Sequence, residues 1–199
     1  MFHVKFFNFQ IKMSKIIFLN GSSSSGKTSI AKAIQHIADI PFMRIGVDTF
    51  IDMMPRRYLS FGDKSKEGCW FEKDHNNDGP VVRCNSGHFG NLVFLTAINV
   101  IKLMADSGLN LVIDEVIWDE SRINDYKNSL TKHDIIFVKI FCSKKTSQER
   151  EILRGDREIG LANDQIDRID KMKFKYDLVI NTEKSSPFDA AEQILKILR

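Results

Sequence analysis

The sequence predicts an α/β fold in which a mostly parallel, five-stranded sheet has helices on both faces. The main observation is that strand-like and helix-like stretches alternate along almost the whole chain. A second is composition, because 199 residues of which 43% are hydrophobic suffice for one substantial core. A third is a glycine-bounded loop between the first predicted strand and the first predicted helix. We therefore expect a single domain over residues 13–199.

Each predicted element follows from the spacing of its apolar residues. Short apolar runs rich in β-branched residues predict strands at residues 15–20, 42–47, 109–113, 135–142 and 178–181. Apolar residues three and four apart predict helices at residues 28–38, 90–107, 120–130, 145–153, 163–172 and 187–198. Met13 lies two residues before the first strand, so we expect it to be the initiator and residues 1–12 to be a start-site artefact.

The loop at residues 21–28 reads Gly-Ser-Ser-Ser-Ser-Gly-Lys-Thr, which is the pattern of a phosphate-binding loop (P-loop). Its two glycines let backbone amides approach an anion, and the positive end of the following helix adds to the attraction. Lys27 is expected to reach the β- and γ-phosphates of ATP, and the Thr28 hydroxyl to ligate Mg²⁺. The pattern predicts a P-loop NTPase fold with nucleotide contacts from Gly21, Ser22, Ser23, Ser24, Ser25, Gly26, Lys27, Thr28 and Ser29.

An acidic pair ends the third predicted strand, at Asp114 and Glu115. An acid at the carboxyl end of a strand beside a P-loop can hold Mg²⁺, usually through a water. We therefore predict Asp114 as a second metal residue with Thr28, and leave the role of Glu115 open. An ordinary polar turn after a strand is the alternative.

Three arginines within eight residues predict a small Arg-rich lid. Arg150 and Arg154 are four residues apart and share a helix face, where Arg150 is expected to contact the nucleotide. Arg154 and Arg157 are expected to oppose the charge of the transferring phosphoryl group. Gly155 and Gly160 give the segment two places to bend. The alternative is a solvated helix end whose arginines pair with Glu149, Glu151, Asp156 and Glu158.

Asp48 follows the second predicted strand, where the carboxyl ends of parallel strands form the ligand-binding edge of an α/β sheet. A hydroxyl acceptor needs a base or hydrogen-bond acceptor there, because its proton must leave as the oxygen meets phosphorus. We predict that Asp48 is this catalytic carboxylate. Alternatively, it is a helix N-cap that accepts hydrogen bonds from the amides of Phe50 or Ile51.

Residues 56–87 are polar and glycine-rich, without helical spacing, and a loop this long in a compact domain is usually functional. Residues 74–79 read Asp-His-Asn-Asn-Asp-Gly, which resembles the opening of a calcium loop. The twelfth position is Asn85, however, where such a loop needs glutamate. A hairpin turn between residues 69–72 and 81–83 explains the same sequence better.

Composition excludes several classes of function. The net charge is only +3, and the basic residues are spread among 26 acids, so no nucleic-acid partner is expected. Cys69, Cys84 and Cys142 fit neither a disulfide framework nor a zinc site, which favours the reducing cytoplasm. We recognise no apolar run near the length of a membrane helix, so no membrane association is expected.

Together, the motifs resemble the chloramphenicol phosphotransferase family of P-loop kinases. The resemblance covers nearly everything from Met13 to the C-terminus, and its most specific run is Gly-Val-Asp-Thr-Phe-Ile-Asp-Met-Met-Pro at residues 46–55. The other matching motifs are residues 19–29, 112–116, 150–157 and Gly160. The turn at residues 74–79 and the Tyr-Asp pair at residues 176–177 also resemble the family pattern.

This resemblance implies transfer of the γ-phosphoryl of ATP to a hydroxyl of a small molecule, with the primary 3-hydroxyl of chloramphenicol as the namesake acceptor and antibiotic resistance as the associated role. It implies that Asp48 activates the acceptor and that Arg154 and Arg157 supply the lid charges. Two alternatives stay open: a zeta-toxin-like kinase of a nucleotide-sugar or another metabolite, and a nucleotide-dependent switch. Against the switch, residues 181–184 do not form the guanine-reading motif Asn-Lys-x-Asp.

Overall fold

A computed structural model describes residues 13–60, 62–76, 79–155 and 158–198. In chain order the strands are β1 (Lys15–Asn20), β2 (Phe42–Gly46), β3 (Cys69–Asn76), β4 (Gly79–Ser86), β5 (Asn110–Glu115), β6 (Asp134–Phe141) and β7 (Leu178–Asn181). The α-helices are α1 (Lys27–Ile37), α2 (Val47–Asp52), α3 (His88–Asp106), α4 (Glu120–Ser129), α5 (Lys144–Arg154), α6 (Leu161–Asp170) and α7 (Pro187–Ile197).

Five of the strands form one parallel sheet in the order β2-β5-β1-β6-β7. These are the five strands predicted from apolar spacing, so the α/β fold class is confirmed. Because all five run the same way, their carboxyl ends meet at one edge of the sheet. This edge therefore brings the ends of β1, β2 and β5 together, and with them the P-loop, Asp48 and Asp114.

The core has one layer on each face of the sheet. On one face, Ile17 and Leu19 of β1 pack in a buried cluster with residues of α1 and α7. On the other, Ile16 and Phe18 pack with residues of α3 and α4. Neighbouring residues of a strand point to opposite faces, so a central parallel strand must be apolar throughout. This explains why β1 reads as an unbroken apolar run.

The six α-helices with predicted bounds begin and end within one or two residues of the predicted positions, whereas no bounds were predicted for α2. The largest shift is at α6, which begins at Leu161 because Gly160, with φ of +94°, takes the N-cap position. At the end of β2, the chain enters α2 directly after Gly46. A Cβ on Gly46 would lie 1.9 Å from the Asp114 carbonyl oxygen, so glycine lets β2 approach β5 closely here.

A hairpin of β3 and β4 is inserted between α2 and α3, where the sequence predicted a long functional loop. The hairpin interpretation of this segment is therefore confirmed. The Asp74 carboxylate accepts from the His75 amide (2.8 Å) and from Arg83 Nη1 (2.9 Å), both within the hairpin. Asp78, which the calcium interpretation also needs, lies outside the described residues.

Helix α3 corrects the expectation that no apolar stretch approaches the length of a membrane helix. By length and composition this 19-residue helix is apolar enough to cross a membrane, with a mean hydropathy of 1.4. In the described structure it lies against the sheet, with Ala97, Ile98, Ile101 and Ala105 buried. The core helix of a soluble protein passes the same test, which is therefore weak evidence for a membrane span.

Candidate active site

The P-loop backbone requires glycine at both of its ends. A Cβ on Gly21 would lie 2.2 Å from the Ile140 carbonyl oxygen of β6, which leaves no room for a side chain. Gly26 has φ of +102°, a conformation that other residues rarely adopt. Gly26 is also the N-cap of α1 and has no side chain with which to cap it. The amides of the first turn are thus suited to an anionic ligand.

The predicted nucleotide-binding residues divide into two groups. One group is buried under the loop surface: Gly21, Ser22 and Ser25. The other lines a cleft at the carboxyl edge of the sheet: Ser23, Ser24, Gly26, Lys27, Thr28 and Ser29. The Lys27 ammonium donates to the Ser22 carbonyl (2.7 Å), and the Ser23 amide donates to Gln165 Oε1 of α6 (2.6 Å). The loop conformation is therefore supported both from within and from α6.

Thr28 and Asp114 lie together, as predicted for a metal site. The Thr28 hydroxyl donates to Asp114 Oδ2 at 2.7 Å, and Arg44 Nη1 is 3.8 Å from the same oxygen. A hydroxyl and a carboxylate at the end of a strand are hard oxygen ligands of the type that Mg²⁺ takes when phosphates and waters complete its shell. The pair therefore fits Mg²⁺, although among the described residues no group of three or more His, Cys, Asp or Glu is placed to hold a metal by itself.

Arg150 contacts the P-loop rather than pointing only into the cleft. Its Nη1 donates to the Ser24 carbonyl (3.2 Å) and to Thr182 Oγ1 (3.0 Å), and its Nη2 donates to the Thr182 carbonyl (3.2 Å). Thr182 Oγ1 in turn donates to the Ser25 carbonyl (2.8 Å). Arg150 lines the cleft, but much of its hydrogen-bonding capacity joins the P-loop to the end of β7.

The predicted lid is only partly described. Arg154 is exposed at the end of α5 and lines the cleft together with the P-loop residues. Gly155, with φ of +68°, ends the helix and has open space around it. Arg157 lies outside the described residues. The lid roles of Arg154 and Arg157 remain predictions.

Two residues of this segment have structural roles that differ from the expected ones. Glu151 was considered a solvated acid, but it is fully buried and accepts from the amides of Gly160 (2.9 Å) and Ala162 (2.8 Å). Gly160 was expected to be a bending point. A Cβ there would lie 2.2 Å from the Pro80 carbonyl oxygen, so Gly160 instead permits close packing of α6 on the hairpin.

Asp48 lies in the first turn of α2, exposed in the wall of the cleft. Gly46 occupies the N-cap position of this short helix, so the interpretation of Asp48 as the N-cap is wrong. The carboxylate shares the cleft with Lys27, Thr28 and Asp114. Sequence reasoning thus placed it at the correct edge of the sheet.

Glu115 is completely buried behind Asp114. Its pKa is raised to about 7, mainly by burial and also by the negative charges of Asp114 and Asp48. The Tyr126 hydroxyl, which donates at 2.8 Å, and the positive charge of Arg122 oppose this shift. Asn20 is a further residue that sequence analysis missed. Its side chain bonds both the amide and the carbonyl of Ile117, at 2.7 and 2.8 Å, and so holds the segment after β5 that lines the cleft.

The cleft has a volume of about 750 Å³, with the P-loop on one side and the hairpin and α4 on the other. Two of the apolar residues proposed for an acceptor wall, Phe71 and Trp118, do line it. The other three do not line it: Trp70 bonds Glu72, Met54 is buried, and Met53 is exposed. Hairpin alternation explains why Trp70 does not line the cleft, because Trp70 and Phe71 point to opposite faces. Ile51 and Phe94 also belong to this apolar wall.

The parallel sheet, the P-loop between β1 and α1, and the Thr28–Asp114 pair define a P-loop kinase type of fold. Solved structures share it. The APS kinase CysC of Mycobacterium tuberculosis, in complex with AMPPNP and APS, has a TM-score of 0.62 at 13% identity, covering 94% of this chain and 98% of that one. Shikimate kinase from Aquifex aeolicus has a TM-score of 0.56 at 20% identity, covering 92% and 95%.

The chain belongs to the family described as chloramphenicol phosphotransferase-like protein, whose model matches residues 14–199. A Mycobacterium tuberculosis relative named "Putative O-phosphotransferase Rv2636" is 28% identical over 181 residues, which is 90% of this chain and 80% of that protein. The expected family is therefore confirmed, and the protein is an enzyme of the kinase-type phosphotransferase class.

Proposed function

We propose that the protein transfers the γ-phosphoryl of ATP to a hydroxyl of a small molecule, with Mg²⁺ as the metal. The observation that carries this proposal is the position of Asp48 in the same cleft as Lys27 and the Thr28–Asp114 pair. A cleft of about 750 Å³ lies within the size range of sites that bind small molecules. Family membership supports the reaction class.

In the proposed reaction, the acceptor oxygen attacks the γ-phosphorus while its proton passes to a carboxylate oxygen of Asp48. The bond between the γ-phosphorus and the bridging oxygen breaks, and ADP leaves with the electron pair of that bond. Lys27 and Arg154 oppose the charge on the transferring group, and the P-loop amides hold it in position. Mg²⁺ bound by Thr28 and Asp114 would neutralise charge on the β- and γ-phosphates.

The family resemblance favours a chloramphenicol-like acceptor, and the apolar wall of Ile51, Phe71, Phe94 and Trp118 supports an acceptor with an apolar part. A nucleotide-sugar or another hydroxylated metabolite is the alternative, as in the zeta-toxin group. The test is to incubate the protein with Mg-ATP and a panel that contains both chloramphenicol-like compounds and hydroxylated metabolites. Mass spectrometry then shows which compounds gain the mass of a phosphate, and this separates the two acceptor hypotheses. ADP release with chloramphenicol that equals the background without acceptor would remove the namesake substrate and leave the kinase proposal intact.

Asp48→Asn tests the catalytic carboxylate. We expect kcat to fall by about 100-fold or more, with the KM for ATP changed little, because the variant loses the proton acceptor and keeps the P-loop. Asp52→Asn, one turn further along α2 and outside the cleft lining, is the matched control and should behave as wild type. If Asp48→Asn kept full acceptor phosphorylation while Lys27→Ala abolished nucleotide binding, Asp48 would not be the base.

We also propose a cytoplasmic location, because Cys69, Cys84 and Cys142 are all free thiols, as a reducing compartment requires. A role in drug resistance would follow only from activity on the drug itself. Cells that express the wild type should then survive chloramphenicol better than cells that express Asp48→Asn.

A further inference from the structure

The acceptor side of the cleft contains arginine side chains that the proposed phosphoryl transfer does not use. From their placement we infer that the acceptor carries an anionic group, a carboxylate or a phosphate, which Arg122 binds, with Arg168 as a second cation in the lining of the same cleft. The inference rests on the proposed function and names the class of acceptor as a small hydroxylated anion. It departs from the neutral, chloramphenicol-like acceptor that the family resemblance alone favours.

Arg122 is the central residue of this subsite. It lies in the first turns of α4, is half-buried, and lines the cleft with its guanidinium 5.2 Å from the centre of the Phe94 ring. Among the described residues, no hydrogen bond or ion pair engages this guanidinium, which has five N–H donors. The ring contact holds its plane in position, so the donors are available to a ligand without a large loss of side-chain entropy.

Arg168 of α6 also lines the cleft and also has its guanidinium over an aromatic ring. Its guanidinium lies 4.4 Å from the centre of the Trp118 ring and 3.4 Å from Asp164 Oδ2. Asp164 also lies 3.5 Å from Arg83 Nε, so this carboxylate is shared between two arginines. Arg83 also pairs with Asp74 at 2.9 Å, so these two arginines face two carboxylates, and Arg168 is a weaker candidate for anion binding than Arg122.

Both arginines act on the same part of the hairpin. Burial raises the pKa of Cys84 to about 11, and the charges of Arg122 and Arg168 both oppose that shift, while Asp48 adds to it. Cys84 lines the cleft from β4. Arg122, Arg168 and Asp48 all line the same cleft as Cys84.

Charge and hydrogen bonding set the size of the expected effect. A planar guanidinium matches a carboxylate or phosphate with two parallel hydrogen bonds, and such charge-assisted bonds are among the strongest in proteins. Loss of one such contact typically reduces affinity about 10- to 100-fold. A neutral acceptor of the same shape would gain the apolar contacts with Phe71 and Phe94 but would offer the N–H donors of Arg122 no charge-assisted hydrogen bond.

The experiment compares matched acceptor pairs that differ in charge. The probes are D-gluconate against D-gluconamide for the carboxylate, N-acetylglucosamine 1-phosphate against N-acetylglucosamine for the phosphate, and chloramphenicol as the neutral reference. The measured quantity is the ratio of kcat/KM for the anionic member to that for the neutral member. Binding of each compound to the protein in the presence of MgADP, measured by ligand-observed NMR, gives a second readout that does not need turnover; a compound that binds is called retained below.

Arg122→Met keeps the aliphatic packing on Phe94 and removes the charge. We expect the wild type to prefer at least one anionic member, and this variant to lower that preference about 10- to 100-fold, mainly through the KM of the anion. Arg122→Lys should retain part of it. Lys127→Met is the matched control. Lys127 is on α4 like Arg122 and lies over an aromatic ring, that of Phe174, but it is outside the cleft lining. The ratio for Lys127→Met should equal that of the wild type.

The inference is overturned if the wild type prefers the neutral members, or if Arg122→Met has the same ratio as Lys127→Met. If no compound is phosphorylated, the proposed function fails for this panel, and the NMR readout still decides the inference. Retention of an anion by wild type and its loss in Arg122→Met would support it, whereas equal retention by both, or retention of no anion, would overturn it.

Discussion

Replacing Glu151 with alanine should destabilise the protein by about 2 to 6 kcal/mol. The side chain is fully buried and accepts from two backbone amides, those of Gly160 and Ala162. Truncation leaves both donors without that acceptor in a place that water does not reach, and each unsatisfied buried donor costs about 1 to 3 kcal/mol. Glu151→Gln keeps one acceptor oxygen, so it should lose less than Glu151→Ala.

Urea denaturation monitored by circular dichroism measures this loss of unfolding free energy. Glu149→Ala is the control, because Glu149 is an exposed acid on the same helix and a surface change of this kind usually costs less than about 0.5 kcal/mol. The KM for ATP should also rise in Glu151→Ala, since α6 carries the Gln165 oxygen that accepts from the Ser23 amide of the P-loop. A Glu151→Ala variant as stable as Glu149→Ala would refute the reasoning.

Two further predictions concern Gly46 and Cys84. Gly46→Ala should lower both kcat and the free energy of unfolding, because the new Cβ would lie 1.9 Å from the carbonyl oxygen of Asp114 and must displace β5. A coupled assay of ADP release measures kcat, and urea denaturation measures stability. Wild-type values for both quantities would contradict this prediction. Cys84 should react with iodoacetamide at pH 8 about 100-fold more slowly in the native protein than in urea, because a pKa of about 11 instead of 9 lowers the thiolate fraction. Peptide mass mapping measures the rate, which should rise about tenfold per pH unit up to that pKa; a native rate equal to the rate in urea would be inconsistent with the raised pKa.

The sequence was sufficient for the parts of the site that are contiguous in the chain. The P-loop is one run of eight residues whose backbone geometry depends on its own glycines, and the strand before it and helix after it are visible as apolar periodicity. Asp48 and Asp114 were found for a related reason. Asp48 comes two residues after β2 and Asp114 lies near the carboxyl end of β5, and parallel strands bring their carboxyl ends to the same edge.

The residues that were missed act across large distances in the sequence. Gln165 bonds the P-loop from 142 residues away, and Asn20 bonds Ile117 from 97 residues away. Local spacing carries no signal for such contacts. Glu151 was misjudged for a similar reason: helical periodicity shows that α5 has a polar face, but the packing of α6 and the hairpin decides which part of that face becomes buried.

The packing of the hairpin on α6 divides the hairpin into two parts, and the two parts differ in how far their amino-acid sequence can vary. The Val82 amide donates to the Gly160 carbonyl (3.1 Å) and Asn163 Nδ2 donates to the Pro80 carbonyl (3.1 Å), so α6 covers the outer edge of β4. An isolated two-stranded ribbon is marginally stable, and an uncovered edge invites pairing with other chains. Residues 80–82 are therefore restricted by the need to remain attached. Phe71 and Cys84, further along the ribbon and facing the cleft, can change without detaching it, so acceptor preference can diverge among related proteins while the nucleotide machinery stays intact.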